Sequence, residues 1–217
     1  MELLIKRVLQ HDADVVVLTE FRPQESGAKI VKLLGEAGYT CSSPARVLAM
    51  THTVLVGSRR PFTIVPLAGI PAGNEQRVLL AQFDGFAILG VYFAQKEEKR
   101  VLFDFIIQRC VPMLGERGAV VGDFNTGRAF LDEKESTFAC IDSFEQLENS
   151  GLVDSWRSRN PDGREFSWYS RFGNGFRIDH IFSTPAMDRA LTKIGYDHSP
   201  RIGKETDHSA MVAEFNL

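Results

Sequence analysis

Residues 118–126 read GAVVGDFNT, and the remainder of the chain falls into place around that stretch. Ala119, Val120 and Val121 form a short apolar run of the kind a strand buried on both faces requires. Gly122 has no Cβ and lets the backbone turn sharply, so the strand is expected to end there. Asp123 and Asn125 follow, two apart, and residues i and i+2 of an extended segment point to the same side. One offers an acceptor-only carboxylate, the other an amide that donates and accepts. Such a pair can hold a phosphate, a metal-bound water or each other. The same letters also suit an ordinary Asp/Asn turn after a strand, so partners elsewhere must decide.

Upstream, residues 97–114 fit a helix through Val101, Leu102, Phe105 and Ile106, with Pro112 disturbing its last turn. Val78–Phe83 and Phe86–Phe93 flank Asp84-Gly85, a strong hairpin signal, and Tyr92 stands near the end of the second run. Two short β runs, 53–57 and 62–66, are joined by Ser58-Arg59-Arg60-Pro61. Residues 2–11 place Leu3, Leu4, Val8 and Leu9 near helical spacing. Residues 13–19 (ADVVVLT) follow as a buried strand with Glu20 at its end. A second helix is expected over 26–38, capped by Ser26 and stopped by Gly38.

Downstream, the polar stretch GRAFLDEKEST precedes a helix for which Asp142 and Glu145 offer a capping pair and Gly151 an end. Residues 176–182 (FRIDHIF) alternate, with Phe176, Ile178 and His180 on one side and Arg177, Asp179 and Ile181 on the other. Ala210–Phe215 closes the chain as a strand after Asp207-His208-Ser209. No repeat, low-complexity tract or linker interrupts the 217 residues, which read as a single domain, 1–217. Hairpins argue for antiparallel pairing and strand–helix alternation for mixed sheets, an α+β chain.

Composition narrows the function. With 44% hydrophobic and 24% charged residues the chain has the balance of a water-soluble globule. Its three cysteines lack CxxC spacing, which suits a reducing compartment and no thiolate metal cluster. No apolar run is long enough to span a bilayer, and the opening MELLIKRVLQHDAD has no signal-type core; the cytoplasm is the expected location. A net charge of −3 argues against a nonspecific nucleic-acid binder driven by a positive field. A local basic face remains available from Arg157, Arg159, Arg164, Arg171 and Arg177, and Arg177 is expected to meet the substrate.

Glu20, Asp123, Asn125, Asp179, Asp207 and His208 share one kind of position, the end of a short β run. Acids gathered at strand ends repel one another unless a cation sits among them. Oxygen donors with few nitrogens and no thiols suit Mg²⁺, or Mn²⁺, better than zinc. His208 is a ring able to exchange a proton near neutrality, and an adjacent acid would hold its tautomer.

Taken in order, LTE, VYF, GDFN, RIDHIF and TDHS resemble the signature of the endonuclease/exonuclease/phosphatase superfamily, over Asp14 to Phe215. That resemblance implies a four-layered α/β sandwich, two mixed β-sheets with helices outside. It implies Glu20 as metal ligand with Asp207 on the metal side, and Asp123 activating or positioning the attacking water. Asn125 would orient phosphate or Asp123, Asp179 would pair with His208, and His208 would contact the scissile phosphate. Tyr92, in a YFAQ segment, resembles the tyrosine of exonuclease III-type AP endonucleases, where phosphatase branches tend to place a histidine. Trp168, Phe176 and Ile178 fall where AP endonucleases line a pocket for a base-less sugar; core packing is the other account of them.

Two departures belong to the same comparison. The family opens with a strand carrying an asparagine in a WN-type motif, and this sequence begins at the following helix, so it is expected to be N-terminally truncated. The uncovered strand edge is expected to favour self-association. The segment SRFGNG between Tyr169 and Phe176 is also shorter than in AP endonucleases. The expected activity is divalent-metal-dependent phosphodiester hydrolysis on a nucleic acid, DNA first. The rivals are hydrolysis of a small phosphate ester or lipid headgroup, and a binding module without turnover.

Overall fold

The computed structural model describes residues 2–44 and 51–217. Helix α1 (Glu2–Gln10) leads into strand β1 (Val15–Phe21), then α2 (Glu25–Glu36), β2 (Thr40–Ser42) and β3 (Thr53–Ser58). Strands β4 (Phe62–Val65), β5 (Val78–Phe83) and β6 (Phe86–Tyr92) follow. A helical crossover, with α3 (Arg100–Phe105) at its centre, connects to β7 (Gly118–Asp123) and, after a long loop, α4 (Ile141–Asn149). The last third holds β8 (Val153–Asp154), β9 (Trp168–Tyr169), β10 (Gly175–Phe176), β11 (Asp179–Ser183), α5 (Pro185–Arg189), β12 (Leu191–Asp197), α6 (Ser199–Ile202) and β13 (Ala210–Phe215).

Six strands form the main sheet in the order β4-β5-β6-β7-β11-β8. Its pairs are antiparallel except β6 with β7, which run parallel because the helical crossover returns the chain to the same end. Opposite it lie two antiparallel pieces, β1-β3-β2 and β12-β13. Alternation sorts the strands into layers. On β5, Leu79 and Ala81 pack toward Val54 and Val56 of β3, while Val78 and Leu80 join Leu102, Phe103 and Phe144 of α3 and α4. On β3, Leu55 turns the other way, onto Ile5 of α1 and Leu34 of α2. The order is therefore helix, sheet, sheet, helix, the four-layered α+β sandwich expected. No helix among the described residues is long and apolar enough to cross a membrane.

Local differences from expectation have physical causes. Gly122 does not end its strand: β7 continues to Asp123, with Gly122 paired to Val91 and His180. Its φ is +149°, and a Cβ there would stand 1.9 Å from the carbonyl oxygen of Val91, so glycine lets two backbones touch rather than turn. The crossover is not one helix. It is a 3-10 turn at Lys96–Lys99, the α-turns of α3, a π-turn at Ile106–Cys110 and a final 3-10 turn at Val111–Leu114. Pro112 lacks the N–H that an α-ladder needs and crowds the preceding carbonyls, so the last turns adjust their pitch. Ser26 lies inside α2 rather than at its cap. Asp142 does not cap α4; it pairs with Arg100 of α3 and fastens the two helices together.

Candidate active site

The parallel β6–β7 pair and the antiparallel β7–β11 pair bring three side chains into one row. Tyr92 is the register partner of Asp123, and Asp123 the partner of Asp179. Residues in such a row share a face of the sheet. The row is stitched by backbone bonds from Phe93 N–H to the Asp123 carbonyl and from Phe124 N–H to the Ile178 carbonyl, each 2.8 Å. Phe124 points the other way and is fully buried among Phe93, Phe103, Phe144 and Phe182. That anchor fixes Asp123 and Asn125 on either side of it.

Asn125 takes a left-handed conformation, φ +50°. Its main-chain N–H donates to Asp123 Oδ1 at 2.7 Å and its amide to Asp123 Oδ2 at 3.1 Å. The amide also donates to the Phe93 carbonyl at 3.0 Å, tying the turn to the end of β6. The Asp123 carboxyl is 1% exposed. Burial first, and then the neighbouring Asp179 carboxylate, push its pKa well above the usual carboxylate range, only partly opposed by His208 and the Asn125 N–H.

Glu20 reaches the site through a break in regularity. The β1–β3 register shifts between Leu18 and Phe21, and Glu20 sits in that bulge with φ +54°. The Tyr92 hydroxyl donates to Glu20 Oε1 at 3.0 Å. Burial, and next the Glu20 charge, hold the Tyr92 phenol far above its ordinary pKa, so it stays a neutral donor.

On the other flank, His208 Nδ1 stands 2.8 Å from Asp179 Oδ2. Burial works against a charge on the ring, but the Asp179 carboxylate outweighs it, and the imidazole is raised well above its usual pKa. Asp179 is held in turn: its N–H donates to Ser167 Oγ at 3.2 Å and its carbonyl accepts from Tyr196 Oη at 2.7 Å. Asp207 is exposed, and its Oδ2 accepts the indole N–H of Trp168 at 3.0 Å.

Two assignments need correction. Arg177 does not face a substrate; it is fully buried, its guanidinium spent on Asp132 at 2.6 and 3.1 Å and Asp154 at 2.6 and 3.3 Å. Burying a guanidinium without such partners would be prohibitive, so its position dictates a structural ion pair. Ile178 is likewise buried at 6% exposure, and only Trp168 and Phe176, rings 5.7 Å apart across the β9–β10 ribbon, are partly open. Packing explains Ile178.

The supporting residues Asp132, Ser167 and Tyr196 carry no mark in the sequence, and Arg157, expected on a basic face, is instead buried. Asp132 lies in the stretch GRAFLDEKEST, Arg157 completes the buried network with Asp132, and Ser167 and Tyr196 grip Asp179. Their partners lie from 12 to 25 residues away or more, and no local pattern marks them. Lys99, within the charged run KEEK, is 1% exposed and donates to the Asn125 carbonyl.

A metal would find a sparse site. Among the described residues no three His, Cys, Asp or Glu side chains converge on one point. Mg²⁺ keeps several waters and takes one or two protein carboxylates together with substrate phosphate oxygens. Glu20, with one oxygen bound to Tyr92 and acids close by at the strand ends, suits that requirement; the donor set fits a hard, water-rich cation and not a closed cage.

Residues 1–208 match the model of the Endonuclease/Exonuclease/phosphatase family. No curated protein sequence matches the chain. Among solved structures, a 3′ phosphatase (NExo) from Neisseria bound to a product DNA hairpin is similar with TM-score 0.85 at 23% identity, over 100% of this chain and 94% of that one. The 3′-5′ exonuclease NExo from Neisseria meningitidis gives the same TM-score, identity and coverage. An AP endonuclease from Archaeoglobus fulgidus is similar with TM-score 0.86 at 17% identity, again over 100% and 94%. At these identities the structural likeness speaks to the fold.

Proposed function

The chain belongs to the Endonuclease/Exonuclease/phosphatase family, whose members are hydrolases acting on phosphoesters, and from that premise we propose that it is a divalent-metal-dependent phosphodiester hydrolase acting on DNA. The observation that carries the reading is the Asp179–His208 pair set beside a buried Asp123 of raised pKa. A cation is drawn to carboxylates and repelled by an imidazolium, so it would sit toward Glu20 and leave the phosphate contact at the other flank to His208.

Mg²⁺ or Mn²⁺ would be held by Glu20, and when bound would polarise a phosphoryl oxygen; Asp207, on the His208 flank with its Oδ2 on the Trp168 indole, would offer it a second carboxylate. The chain's own groups do the rest. Asp179 fixes Nδ1 of His208, keeping the ring charged and leaving Nε2 to donate to a phosphate oxygen. Asp123, its pKa raised by burial and by Asp179, takes one proton of the attacking water as the water oxygen bonds to phosphorus; the ester P–O bond breaks and the leaving oxygen takes a proton from solvent. Asn125 holds the Asp123 carboxylate by two donors and keeps it from rotating away. Tyr92 orients Glu20. Trp168 and Phe176 offer aromatic faces to a nucleotide or sugar next to the reacting phosphate.

A second reading, hydrolysis of a small phosphate ester or headgroup, draws on the net charge of −3, which supplies no broad positive field for a polyanion. A binder without turnover is the third. Rates on abasic duplex DNA, plain duplex DNA, a 3′-phosphorylated oligonucleotide and a chromogenic phosphodiester, each with Mg²⁺ and with chelator, separate them. DNA cleavage that requires metal and falls steeply with salt is expected. Cleavage of the chromogenic ester alone favours the second reading, and no metal-stimulated turnover favours the third.

A further inference from the structure

The turn carrying Asp123 and Asn125 is held from behind by a buried cation. Lys99 arrives from the 3-10 turn after β6, and its Nζ donates to the main-chain carbonyl of Asn125. With 1% of its surface exposed, a lysine here is costly to keep: burial lowers its pKa to about 8 even with the opposing pull of Cys140, Asp123 and Glu97. Leu or Met would fill the space without that cost. Asn125, left-handed at φ +50°, is thus clamped at its carbonyl by Lys99 and at its amide by the Phe93 carbonyl. Cys140, the Asp123 carboxylate and Glu97 each favour the charged form of that ammonium, against its burial.

We propose that Lys99 is a positioning residue for the hydrolysis, locking Asn125 in the conformation that aims its amide at Asp123 while placing a positive charge behind that carboxylate. The inference rests on the phosphoester-hydrolase reading of the site and adds to it a control on when Asp123 can accept a proton. The groups facing Asp123 are Asp179 and Glu20, which raise its pKa, His208, which lowers it, the neutral phenol of Tyr92 beside it in the sheet, and Lys99 beneath. Lys99 therefore works with His208 against the two acids. A tie that served only folding would need the hydrogen bond and not the charge.

Two variants separate those roles. Lys99→Met removes both bond and charge; Lys99→Gln keeps an N–H donor for the Asn125 carbonyl and removes the charge. The Asp123 carboxyl is titrated by carbon NMR in each protein, a readout independent of turnover, and the pH profile of kcat is measured on the chromogenic phosphodiester with Mg²⁺. Both variants are expected to titrate Asp123 at higher pH than wild type and to move the acid limb of kcat the same way. Near-neutral kcat should drop on the order of tenfold with little change in KM, the scale of losing an outer support of a site residue. If Lys99→Met does not fold, Lys99→Gln alone decides. An active wild type whose Asp123 titration is the same in Lys99→Gln overturns this inference only. A wild type inert on every ester overturns the functional reading and this inference together.

Discussion

The phenol of Tyr92 donates to Oε1 of Glu20 at 3.0 Å, across 72 residues of chain. Tyr92 ends β6 of the six-stranded sheet and Glu20 sits in the bulge of β1 on the opposing sheet, so one hydrogen bond links the two sheets where the site opens. A left-handed non-glycine residue is strained, and such strain persists where its surroundings hold it for a purpose.

That link predicts a graded effect on metal binding. Glu20→Gln keeps shape but removes a charge, and Mn²⁺ affinity by calorimetric titration should fall severalfold or more. Tyr92→Phe leaves the carboxylate in place but unoriented, and should weaken binding less, within about tenfold, the scale for a ligand's supporting partner. Equal affinity in Glu20→Gln and wild type would remove Glu20 from the metal side.

Asp179 and His208 should behave as one unit in turnover. Each of His208→Ala and Asp179→Asn is expected to lower kcat on the order of 10²-fold or more. The double variant should lose far less than the product of the two, because the second change removes what the first already disabled. Full activity in His208→Ala would defeat the mechanism for any substrate.

The buried pairing of Arg177 with Asp132 and Asp154 should dominate acid stability. Burial alone would raise both carboxyls, yet Arg177, helped by His180, brings them below the usual range. Folded pKa values below the unfolded ones mean that the pairing contributes fully above about pH 4, and is lost as pH falls further. Asp154→Asn strands a buried guanidinium and is expected to destabilise by about 3–5 kcal/mol at neutral pH. Urea unfolding at neutral pH and near pH 3 would show it; the variant should also lose less on acidification than wild type.

Strand edges predict association. Among the described strands β1 pairs only with β3 and β13 only with β12, and both carry partly buried apolar side chains: Val15, Val17, Met211 and Ala213. Free backbone donors beside apolar side chains invite pairing with a second copy. Light scattering should report a mass that rises with concentration. A monodisperse monomer throughout would remove the prediction.

The sequence made the strand ends legible because the chemistry there is local. GDFN puts acid and amide two apart, the Asp84-Gly85 turn joins β5 to β6 as the antiparallel hairpin expected, and the last strand runs over Ala210–Phe215 as expected. What could not be read is whatever depends on distant partners. Arg177 looks like a basic residue on an alternating strand until Asp132 and Asp154 close around it. Lys99 sits in a run, KEEK, that suits a solvated turn, and only the fold shows its ammonium turned inward beneath Asn125. Gly122 reads as a turn because sequence does not show that another backbone lies against it.

The bond between Trp168 and Asp207 gives the protein an optical reporter of its own. The chain has two tryptophans. Trp156 is buried, with Arg157 and Arg177 5.0 Å from its ring, and its emission is expected to change little. Trp168 is partly exposed and its indole N–H is held by a carboxylate on the flank of the site. Whatever draws Asp207 away, or stacks on that indole, changes the light it emits, so intrinsic fluorescence reads events at this flank without a label.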